Sequence, residues 1–353
     1  MLWALVMAGG QGTRFWPESR TENPKQFLRI FGCRSLLEQT VDRLQGVIPP
    51  SRILVVTQDA KVSQAARFLA IPHSQILGEP VGRNTAPCAA LVASIVIRKD
   101  PEAVLAILPA DHRIEKVGYF RTALRQAADI AWRYQFPVTF GIQPDFPHTG
   151  YGYLETDKLV GRKDGFKIYR LKKFHEKPDV QRARAFLRTG RFYWNSGMFV
   201  WRADKLLEAT NTYLPSAYDL AVKITDHGIR KGMKRFYRRM PNISIDYGLM
   251  EKLRGKILTL PVDMGWSDVG DWKVAGQFWP KDRDQNAVLG KAIFVDSSGN
   301  VVKSRKRLIA LVGIRDHIVI DTLDALLVAH KDKTELIRKV VEQLKTEKQT
   351  RYL

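Results

Sequence analysis

The run Leu2-Trp3-Ala4-Leu5-Val6-Met7 passes without a break into Ala8-Gly9-Gly10-Gln11-Gly12-Thr13-Arg14, and that passage decides how the rest of the chain is read. Six apolar residues in succession suit a strand buried on both faces. A strand that ends in glycines exposes backbone N–H groups with no Cβ in the way, so the turn can wrap phosphate oxygens. Arg14, and further on Lys25, add full positive charge beside those amides. The segment reads as a cradle for a nucleotide's phosphates. Two better-known phosphate motifs are excluded. The dinucleotide fingerprint needs a third glycine, and Phe15 stands there. A Walker loop needs Gly-Lys-Ser/Thr opening a helix, and no such triplet follows Gly12. A plain tight turn after a first strand is the competing reading.

Outward from this stretch the first half alternates short apolar strands with amphipathic helices. Leu2–Met7, Ile53–Thr57, Val104–Leu108 and Val138–Gly141 read as buried strands. Ser35–Val47, Ala60–Leu69, Thr85–Arg98 and Tyr119–Tyr134 read as helices, the first with Ser35 and Glu38 at capping-box spacing. Such alternation predicts right-handed βαβ units and an α/β fold on a mainly parallel sheet. Ligands of such sheets bind beyond the carboxyl ends of the strands, where Gly9–Arg14 and Asp111 both fall. From about Gly150 the texture changes. Strands near Tyr153–Thr156, Phe166–Phe174 and Met198–Trp201 alternate with helices Val180–Arg188 and Ala203–Tyr213, as a second half built onto the same sheet. From Gln285 to Ala329 short Val/Ile/Leu runs broken by Asp, Ser and Gly predict a small β-rich appendage. A charged helix, Lys331–Lys348, closes the chain. The expected division is 1–284 and 285–353.

Gly9-Gly10-Gln11-Gly12-Thr13-Arg14-Phe15-Trp16-Pro17, followed by Pro24-Lys25-Gln26, resembles the signature of the sugar-1-phosphate nucleotidyltransferases. Within that family it resembles the branch that uses a guanine nucleotide and a mannose phosphate. The resemblance implies a Rossmann-like, glycosyltransferase-A-like domain and a short left-handed β-helix at the C-terminal end. It also implies transfer of GMP from GTP to α-D-mannose 1-phosphate, giving GDP-mannose and pyrophosphate with the help of Mg²⁺. In this comparison Gly9, Gly10, Gln11, Gly12, Thr13, Arg14 and Lys25 hold the triphosphate.

Further motifs bear on the same chemistry. Leu108-Pro109-Ala110-Asp111-His112 puts an acid at a strand end, and Asp268 lies in Gly265-Trp266-Ser267-Asp268-Val269-Gly270. Mg²⁺ takes one or two carboxylates and completes its shell with phosphate and water. Turn capping is the alternative for either Asp alone; the family assigns both to the metal. Glu79-Pro80-Val81-Gly82-Arg83-Asn84-Thr85-Ala86-Pro87 opens a helix that Asn84 or Thr85 can cap. Guanine offers N1–H and N2–H₂ to an acceptor and O6 and N7 to a donor, so Glu79 and Arg83 could serve it. The stretch resembles the family's base-recognising segment. Around Gly150-Tyr151-Gly152, Glu176-Lys177-Pro178 and Asn195-Ser196-Gly197, glycines allow close approach. Glu176 and Asn195 suit sugar hydroxyls, and Lys177 suits the sugar's phosphate. Arg14, Lys25, Asp111 and Lys177 are thus the catalytic candidates. Asp246 is a further acid of open role. No nucleophile triad suggests itself, and none is needed when an anionic phosphate attacks directly.

Composition bounds the reading. The chain has 353 residues, 45% hydrophobic, and a formal net charge of +21. No apolar run spans a bilayer and no export leader is evident, so a cytoplasmic protein without membrane partner is expected. Two cysteines, Cys33 and Cys88, fit a reducing compartment. The basic residues are spread, with clusters at Arg230–Arg239 and Lys303–Arg307 but no aromatic-interleaved stripe. A basic cleft for small anions is favoured over nucleic acid. A homodimer is left open. The competing readings are a sister enzyme with dTTP or UTP and glucose 1-phosphate, a silent sugar-nucleotide sensor, and a nucleic-acid-binding module.

Overall fold

The computed structural model describes all 353 residues. They pack as two compact units. One gathers Met1–Gly9, Thr40–Ala110 and Ile114–Trp266; the other gathers Gly10–Gln39, Asp111–Arg113 and Ser267–Leu353.

In chain order the strands of the first unit begin with β1 (Leu2–Ala8), β2 (Ile53–Gln58), β3 (Ile76–Glu79) and β4 (Val104–Pro109). After a two-residue β5 (Arg113–Ile114) come β6 (Val138–Ile142), β7 (Tyr153–Lys163), β8 (Phe166–His175), β9 (Phe192–Arg202) and β10 (Leu258–Val262). Nine of them form one sheet in the order β3-β2-β1-β4-β9-β6-β10-β8-β7. The run β3-β2-β1-β4 is parallel throughout. Strand β9 then runs antiparallel to both β4 and β6, and β10 returns parallel to β6. The expected α/β fold is present, parallel in its first half and mixed in its second.

The helix Thr85–Ile97 is buried from Ala86 to Val96. Apart from Thr85 and the buried Ser94, whose hydroxyl meets Thr225 Oγ1, its residues are apolar, as suits a helix enclosed by protein. Ala86, Ala89, Ala90 and Ala93 give it a slim body, and it shares a core with Leu206, Leu220 and Ile224 of the helices Ala203–Tyr213 and Pro215–Asp226.

Several elements differ from the sequence reading, which lacks strands β3 and β10. Ile76-Leu77-Gly78-Glu79 is short and carries a glycine, and Leu258-Thr259-Leu260-Pro261-Val262 carries a proline, both of which weaken a strand reading. The first helix spans only Leu36–Asp42. Beyond it the chain turns through Leu44 N–H to Val41 O and Val47 N–H to Leu44 O, up to Gly46 at φ 76°. Its capping box is formed: Ser35 N–H donates to Glu38 Oε2 at 2.8 Å and Glu38 N–H to Ser35 Oγ at 3.2 Å. The expected closing helix is a 3₁₀ segment, Lys331–Leu336, followed by an α-helix, Ile337–Thr346.

After the two-residue β11 (Trp266–Ser267), the second unit holds β12 (Ala287–Leu289), β13 (Ala292–Val295), β14 (Val301–Lys303), β15 (Ile309–Val312), β16 (His317–Asp321) and β17 (Leu326–His330). Strands β12, β14 and β16 stack in parallel, with Ala287 beside Val301 and Val301 beside Ile318; β13 and β15 stack likewise. This coil of parallel rungs is the β-rich appendage. An asparagine ladder joins the rungs. Asn286 and Asn300 are fully buried, and Asn300 Nδ2 donates to Asn286 Oδ1 and to Ile314 O, both at 2.9 Å. Asn300 Oδ1 accepts from His317 N–H at 2.9 Å, and Asn286 Nδ2 donates to Ser297 O. The rungs differ in length: Asn300 stands 14 positions after Asn286, and His317 stands 17 after Asn300. Unequal rungs explain why no hexapeptide repeat is visible.

The same unit contains the residues that follow the glycine turn. Phe15, Trp16, Leu28 and Ile30 share a core with Val269, Trp272, Trp279, Val301, Ile318 and Ile337. Trp272 Nε1 donates to Trp16 O at 3.1 Å, Trp279 Nε1 to Ile30 O at 3.2 Å, and Trp16 Nε1 to Tyr352 O at 2.9 Å. The scaffold beneath the turn is therefore built largely from the C-terminal part of the chain. Asn300→Ala should destabilise this unit by about 2–3 kcal/mol, since it leaves several buried partners unpaired. The check is the urea midpoint with hydrogen exchange at Val301–Asp321; unchanged protection there would discount the ladder.

Candidate active site

The second unit holds Gly10–Arg14, Lys25, Asp111 and Asp268, whereas Gly9 belongs to the first. Gly12 sits at φ 65° and caps the 3₁₀ turn Thr13–Phe15. A Cβ on Gly12 would lie 2.2 Å from Lys25 Cβ, so both its conformation and its space require glycine. A Cβ on Gly10 would meet nothing within 4 Å, which leaves the turn open there. Gln11 is exposed and its carbonyl accepts from Ser19 Oγ at 2.9 Å. Thr13 starts the 3₁₀ turn.

Lys25 is only 7% exposed. Its Nζ donates to Asp111 Oδ2 and to the Asp268 main-chain oxygen, each at 2.7 Å. One ammonium thus ties the turn segment to both candidate metal ligands. Burial works to raise the Asp111 carboxyl, but Lys25 and His112 outweigh it and hold it below the usual carboxylate range. Asp268 precedes Val269, a buried β-branched residue at φ 46° whose N–H donates to Ser267 Oγ. Such a backbone is costly for valine and marks a loop held in a fixed shape. A Cβ on Gly270 would lie 3.2 Å from an Asp268 carboxylate oxygen and 3.4 Å from Arg14 Nη1. The two side chains therefore flank this glycine. Arg14 Nη1 also donates to Glu335 Oε1 at 2.9 Å, a partner the sequence did not suggest.

The first unit holds the candidate base and sugar residues. Glu79, at the end of β3, is 7% exposed, and its Oε1 accepts from the Tyr237 hydroxyl. Its Oε2 lies 3.5 Å from where a Cβ on Gly9 would stand. Burial pushes the Glu79 carboxyl up to about 7, against the pull of the Tyr237 hydrogen bond. Arg83 is committed differently from the sequence reading: Nη2 donates to the Arg238 main-chain oxygen. Asn84, at φ 64° and ψ −169°, caps the helix Thr85–Ile97 through its side chain. Thr85 Oγ1 accepts from Ile245 N–H at 2.8 Å, which clamps this turn to the segment carrying Asp246.

Asp246 joins the candidate sugar residues. Asn195 Nδ2 donates to Asp246 Oδ1 at 3.0 Å, and Lys177 Nζ to Glu176 Oε1 at 2.7 Å. Burial first, then the Glu176 charge, pushes the Asp246 carboxyl up to about 6. A Cβ on Gly152 would stand 2.6 Å from Glu176 Oε2 and 3.5 Å from Asn195 Cβ, so glycine makes room for both. Lys177 has φ 42°. Gly150 N–H donates to His148 Nδ1 at 2.9 Å. Sequence reasoning missed Tyr237 altogether, and it left Asp246 without a role. The Ser244-Ile245-Asp246 capping pattern was the available signal for the latter.

Such a fold and such residues define a nucleotidyltransferase. Residues 3–285 match the family model described as nucleotidyl transferase, and residues 290–344 match the MannoseP isomerase/GMP-like beta-helix domain. Mannose-1-phosphate guanylyltransferase of Escherichia coli is 37% identical over all of this chain and 76% of its own length. The enzyme of the same name from Klebsiella pneumoniae is 36% identical over the same shares. A crystal structure described as mannose-1-phosphate geranyltransferase from Thermus thermophilus superposes with a TM-score of 0.88. It is 33% identical, over 98% of this chain and 99% of that one. The chain belongs to the nucleotidyl transferase family, and its relatives there include mannose-1-phosphate guanylyltransferases. No helix is long and apolar enough to cross a membrane.

The raised Asp246 carboxyl has a measurable sign. Ionisation of Asp246 costs stability in the fold; the cost is absent below about pH 4 and complete above about pH 6. Asp246→Asn should therefore be more stable than the parent by about 1 kcal/mol at pH 7.5, with the gap closing toward pH 4. Urea midpoints at the two pH values test this, and a gap that does not vary with pH would contradict it.

Proposed function

We propose that the chain transfers GMP from GTP to α-D-mannose 1-phosphate, giving GDP-mannose and pyrophosphate. The observation that carries the reading is the buried Lys25 ammonium, bonded at once to Asp111 and to the Asp268 segment beside an open glycine turn. In the reaction a phosphate oxygen of the sugar phosphate attacks the α-phosphorus of GTP. The bond from that phosphorus to the bridging oxygen breaks, and pyrophosphate leaves with the electron pair. The attacking group is already anionic, so the protein's work is positioning and charge neutralisation.

Gly9, Gly10, Gln11, Gly12 and Thr13 would offer backbone amides to the triphosphate, with Arg14 and Lys25 supplying charge. Glu79, Asn84 and Thr85 would meet the base and its sugar, and Arg83, through the guanidinium edge it has left, the base's acceptors. Glu176 and Asn195 would grip the mannose, Gly150 and Gly152 would let it approach, and Lys177 would orient its phosphate. The donor set fits Mg²⁺. Asp111 and Asp268 provide hard oxygens on segments that one lysine joins, Asp111 is held ionised, and two carboxylates leave room for phosphate and water. Bound there, Mg²⁺ would neutralise charge on the reacting phosphates. In this reading residues 1–284 carry catalysis and 285–353 form the β-helix-like appendage. The partners are small anions in the cytoplasm rather than nucleic acid or a membrane, and a homodimer is compatible with it.

Pyrophosphate release is the deciding assay, with GTP, dTTP and UTP each paired with mannose 1-phosphate and glucose 1-phosphate. Release should be fastest with GTP and mannose 1-phosphate. Faster release with dTTP or UTP would move the chain to a sister activity, and none with any pair would leave only binding. Lys25→Ala should lower kcat about a hundredfold, since one charged contact to a transferring phosphoryl group is worth on the order of 3 kcal/mol. Near-normal turnover of a folded Lys25→Ala protein would remove the lysine from the mechanism. Asp111→Asn should raise the Mg²⁺ concentration needed for half-maximal rate; an unchanged metal titration would count against ligation.

A further inference from the structure

We propose that Tyr237 is a positioning residue for base recognition, its hydroxyl occupying one oxygen of Glu79 so that the other is presented to the N1–H and N2–H₂ edge of guanine. The proposal rests on the reading above, in which Glu79 meets the base.

Three observations carry it. Tyr237 has no exposed surface, yet it contributes a hydroxyl to a buried carboxylate 158 residues away. A buried tyrosine needs a partner for that hydroxyl, and a buried carboxylate needs donors. The two satisfy each other. Glu79 is also asymmetric. Its Oε1 is taken by Tyr237, whereas Oε2 faces Gly9, 3.5 Å from where a Cβ on that glycine would stand. Third, both elements are fixed. Glu79 ends β3, which pairs with β2 through Gln58. Tyr237 opens the 3₁₀ turn Tyr237–Arg239, where Arg83 reaches the Arg238 carbonyl. A donor fixed on one oxygen sets the rotation of the whole carboxylate, hence where the second oxygen lies.

The chemistry gives this a sign. Guanine's N1–H and N2–H₂ are donors, so they need the ionised carboxylate. The titratable groups facing Glu79 are Tyr237 from its turn and Cys88 from the helix Thr85–Ile97; Arg83, from the loop before that helix, acts on Tyr237. Burial holds the Cys88 thiol and the Tyr237 phenol protonated through the neutral range. Glu79 is thus the group of this cluster that titrates near neutrality, and the Tyr237 hydrogen bond favours its ionised form. Losing the hydroxyl should leave more Glu79 protonated at pH 7 and its rotation unset.

The test uses Tyr237→Phe, Glu79→Gln and the parent with Mg²⁺, mannose 1-phosphate, and either GTP or ITP, which lacks the 2-amino group. Tyr237→Phe should raise KM for GTP roughly tenfold, the scale of one hydrogen bond to a charged group, with kcat within about twofold. The acid limb of kcat/KM for GTP, expected near pH 7 in the parent, should move to higher pH, and the preference for GTP over ITP should shrink. A merely structural tyrosine would change the thermal midpoint and leave both the limb and the preference where they were; that result overturns the proposal. Glu79→Gln should abolish the limb. If it leaves KM for GTP and the GTP/ITP preference unchanged, Glu79 does not meet the base, and it is the underlying reading that fails.

Discussion

A buried ammonium with two fixed acceptors is the constraint on which the second unit depends. Lys25 belongs to Gly10–Gln39, Asp111 to the three-residue insert Asp111–Arg113, and Asp268 to Ser267–Leu353. These are the three pieces of chain that make up the unit, and one Nζ bonds to the second and the third. A lysine this enclosed is tolerated only when its charge and its donors are met, and removing one partner strands the other. The requirement spreads outward. Gly12 must lack a Cβ because Lys25 fills that space, and the turn after Gly12 is anchored by Trp16 and Trp272 in the core beneath. The fold of this unit and its charge arrangement are therefore one problem with one solution.

Three carboxylates that bear on the chemistry, Asp111, Asp246 and Glu79, are set apart by what surrounds them. Asp111 is half-buried and faces Lys25 and His112, so its charge is secured. Asp246 has an amide donor from Asn195, but burial and Glu176 oppose ionisation. Glu79 has a single hydroxyl donor in an enclosed place. Asp111 is suited to binding cations, whereas Asp246 and Glu79 become strong acceptors only when a ligand's N–H or O–H groups, or a neighbouring cation, replace lost water. Lys177 is such a cation for Asp246.

What the sequence made legible follows the range of each interaction. Strands β1, β2 and β4 are readable because their apolar runs are nearly unbroken, β6 because β-branched and aromatic residues lead it, and the capping box at Ser35 and Glu38 because it is local. The glycine turn, Lys25, Asp111 and Asp268 are readable from motifs, and the structure brings Lys25 onto both acidic segments. Strand β10 is hidden by Pro261, tolerated because β8 pairs only with Leu258 and Thr259, so that Pro261 lies beyond that register and beside Gly141 of β6 alone. The β-coil is hidden by rungs of unequal length, whose real repeat is the pair Asn286 and Asn300 rather than a hydrophobic period. Tyr237 is hidden because nothing local distinguishes an aromatic inside Arg235-Phe236-Tyr237-Arg238; its meaning lies entirely in Glu79. Arg83 reads as a free donor, and no local signal points to the Arg238 carbonyl that engages it.

Three of the nine non-glycine residues at positive φ lie in loops that carry candidate site residues. Asn84, Lys177 and Val269 all have positive φ without being glycine. Asn84 combines it with an extended ψ, a region open mainly to glycine, and Val269 is β-branched. Each such residue costs of order 1–3 kcal/mol unless its surroundings over-determine it. Here the surroundings are visible. Asn84 caps the helix Thr85–Ile97, which Thr85 ties to Ile245. Lys177 is bonded to Glu176, and Val269 is buried under the loop whose preceding carbonyl receives Lys25. Glycine at any of the three would relax the backbone but would give up the cap, the charge or the packing. The strain is retained at the three loops that carry the candidate base, sugar and metal residues because the side chains themselves are needed there.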